Sequence, residues 1–369
     1  MIILCRTLVG YDVNGYGYKR NGRGNNVPCT MILPQVAMKF LKNNYPEIFE
    51  DVVAGKSTRL PKTETGALAK DIEDKFFEYF NEVLELQEEA LMERFQVMIE
   101  QSPAAAPFMY ENGTMVEAEN CTESVYNTLK HNTMAFGYIG VAETCEIIFG
   151  ANQVHDQNAY AFALKMVQKI HDYAADATSR RHLNFSCYAT PAEGLCHTSV
   201  KALAAQYGKI PGIFDREYLT NSHHVPVWEK VSIMEKLRLE APFTKLATGG
   251  CITYIEVDST FINNLDAVEK VIDYAFQVLD IPYLAFNFPI DTCLKCGHSG
   301  EFTNGVCPEC GSLDIESLRR VTGYLNKDYR KFNKGKRSEV LDRIKHSEFT
   351  PDANAKTETD WIKEVSESE

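Results

Sequence analysis

Cys293-Leu-Lys-Cys296 and Cys307-Pro-Glu-Cys310 stand ten residues apart near the C-terminal end of the chain. Two CxxC pairs joined by a short loop can set four thiolates tetrahedrally around one ion, and this pattern constrains the local fold more than any other in the sequence. All-sulfur tetrahedral sites favour zinc or iron, and the spacing falls outside the common ferredoxin runs, so zinc is the expected ion. Four thiolates leave no open position, which makes the site structural. The bland alternative is four buried cysteines without a metal. Ten positions beyond Cys310 comes Arg320-Val-Thr-Gly323-Tyr-Leu325, and the expected role of the knuckle is to hold the base of this glycine loop.

The 369 residues suffice for a large core or two domains. No apolar run approaches the roughly 18–20 residues of a membrane span, and no secretory signal is read at the start. Seven of the eleven cysteines are scattered outside the two pairs, which suits a reducing cytoplasm better than a disulfide framework. A net charge of −13 argues against a general nucleic-acid binder. The stretch Arg319 to Lys345 nevertheless holds ten Lys or Arg, which face phosphates or an acidic partner, or else form a solvated helical surface.

The coarse pattern is α/β. Helices are expected at Leu33–Asn43, with Pro34 in the first turn, over Thr65–Gln101, at Val141–Phe149 and at Gln157–Ala177. Strands are expected at Thr133–Ile139, Leu183–Tyr188, Cys251–Val257 and Tyr283–Phe288, with a helix near Ile262–Leu279. Thr190-Pro-Ala-Glu-Gly194 turns a strand into a helix. Such alternation points to a largely parallel sheet. His223 and His224 are read as structural, because no second pair is spaced to complete a metal site. The last ~20 residues are polar and acidic, and are read as mobile.

From Asp291 to His346 the sequence resembles the C-terminus of anaerobic (class III) ribonucleoside-triphosphate reductases, which are glycyl-radical enzymes. The residues that carry this are the paired CxxC motifs, Arg320-Val-Thr-Gly-Tyr-Leu325, Phe332-Asn333-Lys-Gly335-Lys336 and Asp342-Arg343-Ile-Lys345-His346. Further matches are Phe136-Gly-Tyr-Ile-Gly140 with Glu143-Thr144, Ile210-Pro-Gly212 with Asp215-Arg-Glu-Tyr218, and Asn221-Ser-His-His-Val-Pro226. Thr190–Gly194, Gly249-Gly250 with Tyr254-Ile-Glu256, Cys5-Arg6-Thr7 and Gly22-Arg-Gly-Asn25 complete the set, so the likeness spans about residues 3–346.

The resemblance implies a set of roles. Gly323 is the residue modified to a stored glycyl radical, a centre that is best planar and that should sit inside a core, away from oxygen. Alone, a glycine there would simply supply a backbone conformation other residues dislike. Cys5 is the transient thiyl, the alternative being a small buried hydrophobe. Asn25 is the amide beside it, donating to the ribose or to formate, the family's usual reductant; a turn-forming asparagine is the competing reading. Thr190, Ala192, Glu193 and Gly194 bind the nucleoside triphosphate at a helix start, or else Thr190 merely caps that helix. Cys293, Cys296, Cys307 and Cys310 bind zinc. The implied partners are an S-adenosylmethionine-dependent iron–sulfur activase and a second copy of the complete enzyme. The implied reaction is reduction of ribonucleoside triphosphates to 2′-deoxyribonucleoside triphosphates.

The family carries several hundred residues before the cysteine that Cys5 matches. The expectation is therefore the C-terminal part of a ten-stranded α/β barrel, from a split enzyme or a truncated reading frame, completed by an N-terminal half. Within it, residues 1–288 would be partial barrel, 289–312 zinc knuckle, 313–348 radical loop and C-terminal helix, and 349–369 mobile acidic tail. Two other readings stay open. Formate-lyase or dehydratase relatives generally lack the knuckle, and a non-catalytic zinc-ribbon binding protein leaves Cys5-Arg-Thr and Arg320-Val-Thr-Gly-Tyr unexplained.

Overall fold

The computed structural model describes residues 2–3, 7–192, 194–302 and 305–348. Cys5, Glu193 and the tail from residue 349 lie outside the described residues. A short antiparallel hairpin opens the chain, β1 (Ile2–Ile3) on β2 (Thr7–Leu8). Next come β3 (Asn25–Ile32), α1 (Leu33–Asn44), α2 (Pro46–Val53) and the 30-residue α3 (Lys70–Ile99). Single helical turns α4 (Pro107–Tyr110) and α5 (Tyr126–Leu129) lead into β4 (Thr133–Ile139), α6 (Val141–Phe149), α7 (Gln157–Arg181) and β5 (Asn184–Ala189). The strands β3, β4 and β5 form a parallel sheet in that order. Every residue of β4 and β5 is buried, as expected of parallel strands covered by helices on both faces.

Two side-chain arrangements knit this layer. Gln87 of α3 donates its amide to the carbonyls of both Cys29 and Gly137, 2.6 and 3.0 Å away, tying β3 to β4. Above Gly137 the hydroxyls of Thr30 and Thr190 meet at 3.1 Å. A Cβ at position 137 would lie 2.7 Å from the Thr30 hydroxyl and closer still to that of Thr190, so only glycine allows the contact.

Glu88 ties α3 to α7. Its buried carboxylate accepts from Arg180, Arg181 and the Tyr173 hydroxyl. Burial alone would raise its pKa, but these donors outweigh it and hold the pKa at about 2. A carboxyl depressed in the folded state stabilises the fold above its unfolded pKa, and that contribution disappears as pH falls from about 4.5 towards 2. Glu88→Gln should therefore lower the melting temperature clearly at pH 7. By pH 3 the gap from the unsubstituted protein should have narrowed; an equal gap at both values would remove Glu88 as an acid-labile tie.

The second half of the chain holds α8 (Leu195–Tyr207), α9 (Ile233–Leu246), β6 (Thr253–Glu256), α10 (Leu265–Asp273) and β7 (Leu284–Asn287). β6 and β7 pair in parallel over a separate small core that includes Leu237, Ile255, Val271 and Ile281. Then come β8 (Ile290–Cys293), β9 (Ser299–Gly300), β10 (Ile315–Val321), β11 (Tyr324–Asn326) and α11 (Lys334–Asp342). The order β11-β10-β8-β9 makes an antiparallel sheet.

The mixed α/β class is found as expected, and the barrel portion is not seen as one wall. Among the described residues there are four small sheets, of two, four, three and two strands, and no continuous barrel wall. The segment entering β6 does touch β5, with Gly249 N–H donating to the Cys187 carbonyl at 2.7 Å, but the ladder stops there. The predicted helix Ile262–Leu279 also divides: α10 begins after Asn264, whose side chain caps Ala267 N–H, and its end widens into a π turn at Tyr274–Val278. No described helix is long and apolar enough to cross a membrane.

Candidate functional site

β8 ends on Cys293, and the chain turns back through Gly297 in the left-handed region, with Gly297 N–H bonded to the Cys293 carbonyl. The same turn recurs at Cys307 and Gly311. The two knuckles bring all four sulfurs within 4.8 Å of one another, with Cys293–Cys310 and Cys296–Cys307 each at 3.6 Å. A zinc ion bound at about 2.3 Å to each of four sulfurs implies sulfur–sulfur edges of roughly 3.8 Å, so the donor set fits. Burial works against the Cys293 thiolate, but N–H groups of Cys296 and Lys295 and neighbouring thiols bring its pKa down to about 6. Cys296 is helped by the His298 N–H, yet its thiol neighbours push it up to about 12. Four sulfurs this close ionise together only around a cation.

The knuckle is fastened to the glycine strand. β10 pairs with β8 from Ile315↔Cys293 to Leu318↔Ile290. The buried Asp291 carboxylate accepts from Phe302 N–H at 3.0 Å and from Arg319 of β10 at 3.1 Å, and its other oxygen makes an ion-pair contact with Arg319 at 3.0 Å. β10 then reverses into β11 through the two residues Thr322 and Gly323, the closing pair being Val321↔Tyr324. Val321 and Thr322 are buried, and Thr322 is left-handed at φ 51°. Gly323 itself is exposed, as are Tyr324 and Leu325. The expectation of a glycine inserted in a core is therefore not met within the described residues: the root of the hairpin is buried and its tip is open.

Beneath the hairpin lies a cavity of about 40 Å³. Asn221, Tyr254, Thr322, Arg343 and His346 are among its walls, so motifs far apart in sequence converge on it. The Tyr254 hydroxyl donates to the Thr322 carbonyl at 3.1 Å. His346 accepts at Nδ1 from Glu256 N–H at 2.9 Å, and burial holds its pKa down at about 3, so it is a neutral ring. Asn221 reaches from the cavity to the Thr190 turn, where its Oδ1 accepts from Ala192 N–H at 2.9 Å. Sequence reasoning gave no role to Tyr254, Asn221 or His346, although all three lie inside quoted motifs. His223 and His224 are structural in form: Tyr138 bonds His223 at 2.7 Å, and Glu240 bonds His224 at 3.1 Å.

The Thr190 turn follows β5 directly. Gly194 is the N-cap of α8 and no side chain caps it, while the Thr190 hydroxyl faces Thr30 instead. Simple capping by Thr190 is thus excluded. Cys5 and Glu193 fall outside the described residues; β2, which follows Cys5 in sequence, is held at both of its residues. Thr7 Oγ1 lies 3.0 Å from the Tyr188 hydroxyl, and Leu8 N–H donates to the Gly249 carbonyl at 2.7 Å. Asn25 is elsewhere. It starts β3 in register with Thr133 and Asn184, five residues back from Ala189. That is about 16 Å along the sheet from the Thr190 turn. Its buried Oδ1 has no partner among the described residues, whereas Asn26 bonds Leu129 and Asn132.

The sequence profile of the family described as anaerobic ribonucleoside-triphosphate reductase matches residues 2–346. The anaerobic ribonucleoside-triphosphate reductase of Escherichia coli (strain K12) is 33% identical over 354 residues, covering 93% of this chain and 45% of that protein. The enzyme of the same name from Enterobacteria phage T4 is 36% identical over 284 residues, 74% of this chain and 45% of that protein. Among solved structures, an anaerobic ribonucleotide reductase aligns with a TM-score of 0.59 at 19% identity, over 91% of this chain and 45% of that one. The Thermotoga maritima anaerobic ribonucleotide reductase in complex with dATP and CTP aligns at 0.56 and 19% identity, over 86% and 45%. At this identity the structures establish likeness of fold. The chain spans about half the length of the curated relatives it matches. From the profile match and the identities to curated relatives, this chain belongs to the anaerobic ribonucleoside-triphosphate reductase family.

Proposed function

We propose that the chain supplies the radical-bearing C-terminal part of an enzyme that reduces ribonucleoside triphosphates to 2′-deoxyribonucleoside triphosphates. The single observation that carries this reading is the fastening of the four-cysteine knuckle, through Asp291 and β8, to the strand β10 that leads into the Thr322–Gly323 turn. A metal at the knuckle fixes the base of a hairpin whose glycine sits at the tip. Zinc there is structural, and Cys293, Cys296, Cys307 and Cys310 hold it.

In this reading Gly323 stores an unpaired electron at its α-carbon and regains a hydrogen atom from the Cys5 thiol. The sulfur then takes the ribose 3′ hydrogen, and the 2′ hydroxyl, once protonated, leaves as water. Formate is the reductant: oxidised to carbon dioxide, it supplies the two electrons the sugar gains. Asn25, whose amide N–H can donate, and the Thr190 turn, with Ala192, Glu193 and Gly194, are assigned to ribose or formate and to triphosphate respectively. The separation of Asn25 from the turn suits an extended ligand better than a compact one. An S-adenosylmethionine-dependent activase generates the radical.

Two features support a further segment of the same enzyme packing on this chain. Gly323 is exposed, and an apolar groove of about 360 Å³ runs along the free edge of β3, between it and α3. The test is anaerobic activation of this chain assembled with the remaining part of the enzyme, followed by incubation with ribonucleoside triphosphates and formate. The expected products are deoxyribonucleoside triphosphates and carbon dioxide in equal amounts. A zinc-loaded, activated protein that forms neither would sink this reading.

A further inference from the structure

Gly323 lies between two neighbours that are each held by a distant side chain. On its N-terminal side, the Thr322 carbonyl belongs to the same peptide group as the Gly323 nitrogen, and it accepts the Tyr254 hydroxyl at 3.1 Å. On its C-terminal side, the Lys336 ammonium sits 3.6 Å from the centroid of the Tyr324 ring. Tyr254 is itself fixed. It belongs to β6, in register with Ala285 of β7, and the Arg320 guanidinium covers its ring at 5.8 Å while the His224 ring meets it edge-on at 6.3 Å. Arg343 donates to the Arg320 carbonyl, so the inner side of the hairpin is gripped at two carbonyls, two residues apart. The grip at Thr322 is the one that bears on chemistry. Unpaired spin at a glycine α-carbon is stabilised by spreading into both flanking amides, which requires those amides to be coplanar with the radical centre.

We propose that Tyr254 is a positioning residue for Gly323: by donating to the Thr322 carbonyl, its hydroxyl fixes the plane of the Thr322–Gly323 peptide and so sets how far spin at Gly323 spreads into that amide. This rests on the radical reading above. Tyr254 touches neither substrate nor the reacting carbon; it acts through one peptide group. Its hydroxyl also selects a left-handed Thr322, a backbone state that β-branched residues adopt rarely and only when surroundings impose it.

The experiment uses the full-length, zinc-loaded protein with Tyr254→Phe, which keeps the ring under Arg320 and removes only the hydroxyl. Hydrogen–deuterium exchange of the hairpin amides, Arg319 to Asn326, should rise about five- to tenfold, as loss of one hydrogen bond predicts. Zinc content and exchange in β3–β5 should stay the same. After anaerobic activation the doublet in the electron paramagnetic resonance spectrum should change its splitting and decay several-fold faster under argon. Because the adjoining cavity can admit a water that replaces the hydroxyl, 3-fluorotyrosine at position 254 is the second variant. A stronger donor in the same place should move the splitting in the opposite direction. A doublet that neither variant alters overturns the proposal while leaving the radical reading intact. An unsubstituted protein that gives no doublet overturns the radical reading, and this one with it.

Discussion

Gly323→Ala should abolish the radical signal and bring turnover to background, while Cys5→Ala should leave the signal whole and remove turnover alone. The asymmetry follows from the two roles proposed. Storage needs a carbon with no side chain, because a methyl group crowds the planar centre. Transfer needs sulfur, and removing it strands the electron at Gly323. Brief exposure of the activated protein to air should cut the backbone at Gly323, releasing the piece that ends at Glu369. Unchanged zinc in Gly323→Ala would show that the knuckle survives and that the loss is local. Full activity in Cys5→Ala, or a cut elsewhere, would dismantle the pair.

The second large effect concerns the metal. Elemental analysis should find one zinc per chain, and Cys296→Ser should lose it. Structural zinc in small knuckles contributes on the order of 10 kcal/mol of apparent folding free energy, far more than Phe302 and Ile315, which pack beside Cys293 and Cys307 in the knuckle's own core, could supply. Without the ion the β8–β10 ladder should fray and the hairpin amides should lose protection, even before any activation. The core around β4 and α3 should keep its helical circular dichroism. A Cys296→Ser protein that retains its full metal, or a chelated protein with an unchanged hairpin, would refute the assignment of a structural zinc.

Much of this architecture was legible because period and punctuation agreed. β4 and α6 fall at the predicted Thr133–Ile139 and Val141–Phe149, where a mostly apolar run meets Gly140, whose φ of 80° suits no other residue well. α9 was not among the expected helices, although Ser232 and Glu235 form a capping box; Pro242 lies inside it, where proline usually breaks a helix. The four sulfurs were legible from spacing alone. Tyr254 was not, since nothing in Tyr-Ile-Glu says that a hydroxyl 68 residues upstream will meet the Thr322 carbonyl. The open tip of the hairpin was also invisible, because the need for a shielded radical speaks of the assembled enzyme and not of one chain's surface. Cores follow from local pattern; contacts between distant loops depend on how those cores dock.

The pairings differ greatly in the length of chain they close. β3 meets β4 across more than a hundred residues, Asn25 opposite Thr133, whereas Cys293 meets Ile315 across just over twenty. Loop closure and contact order set the order of events during folding. Once its metal is bound, the knuckle with its hairpin can form while the parallel sheet is still searching for register. The arm that carries Gly323 is then finished first and waits, with the free edge of β3 the last surface to settle. In a cell this places the risk of aggregation on the sheet and not on the metal arm.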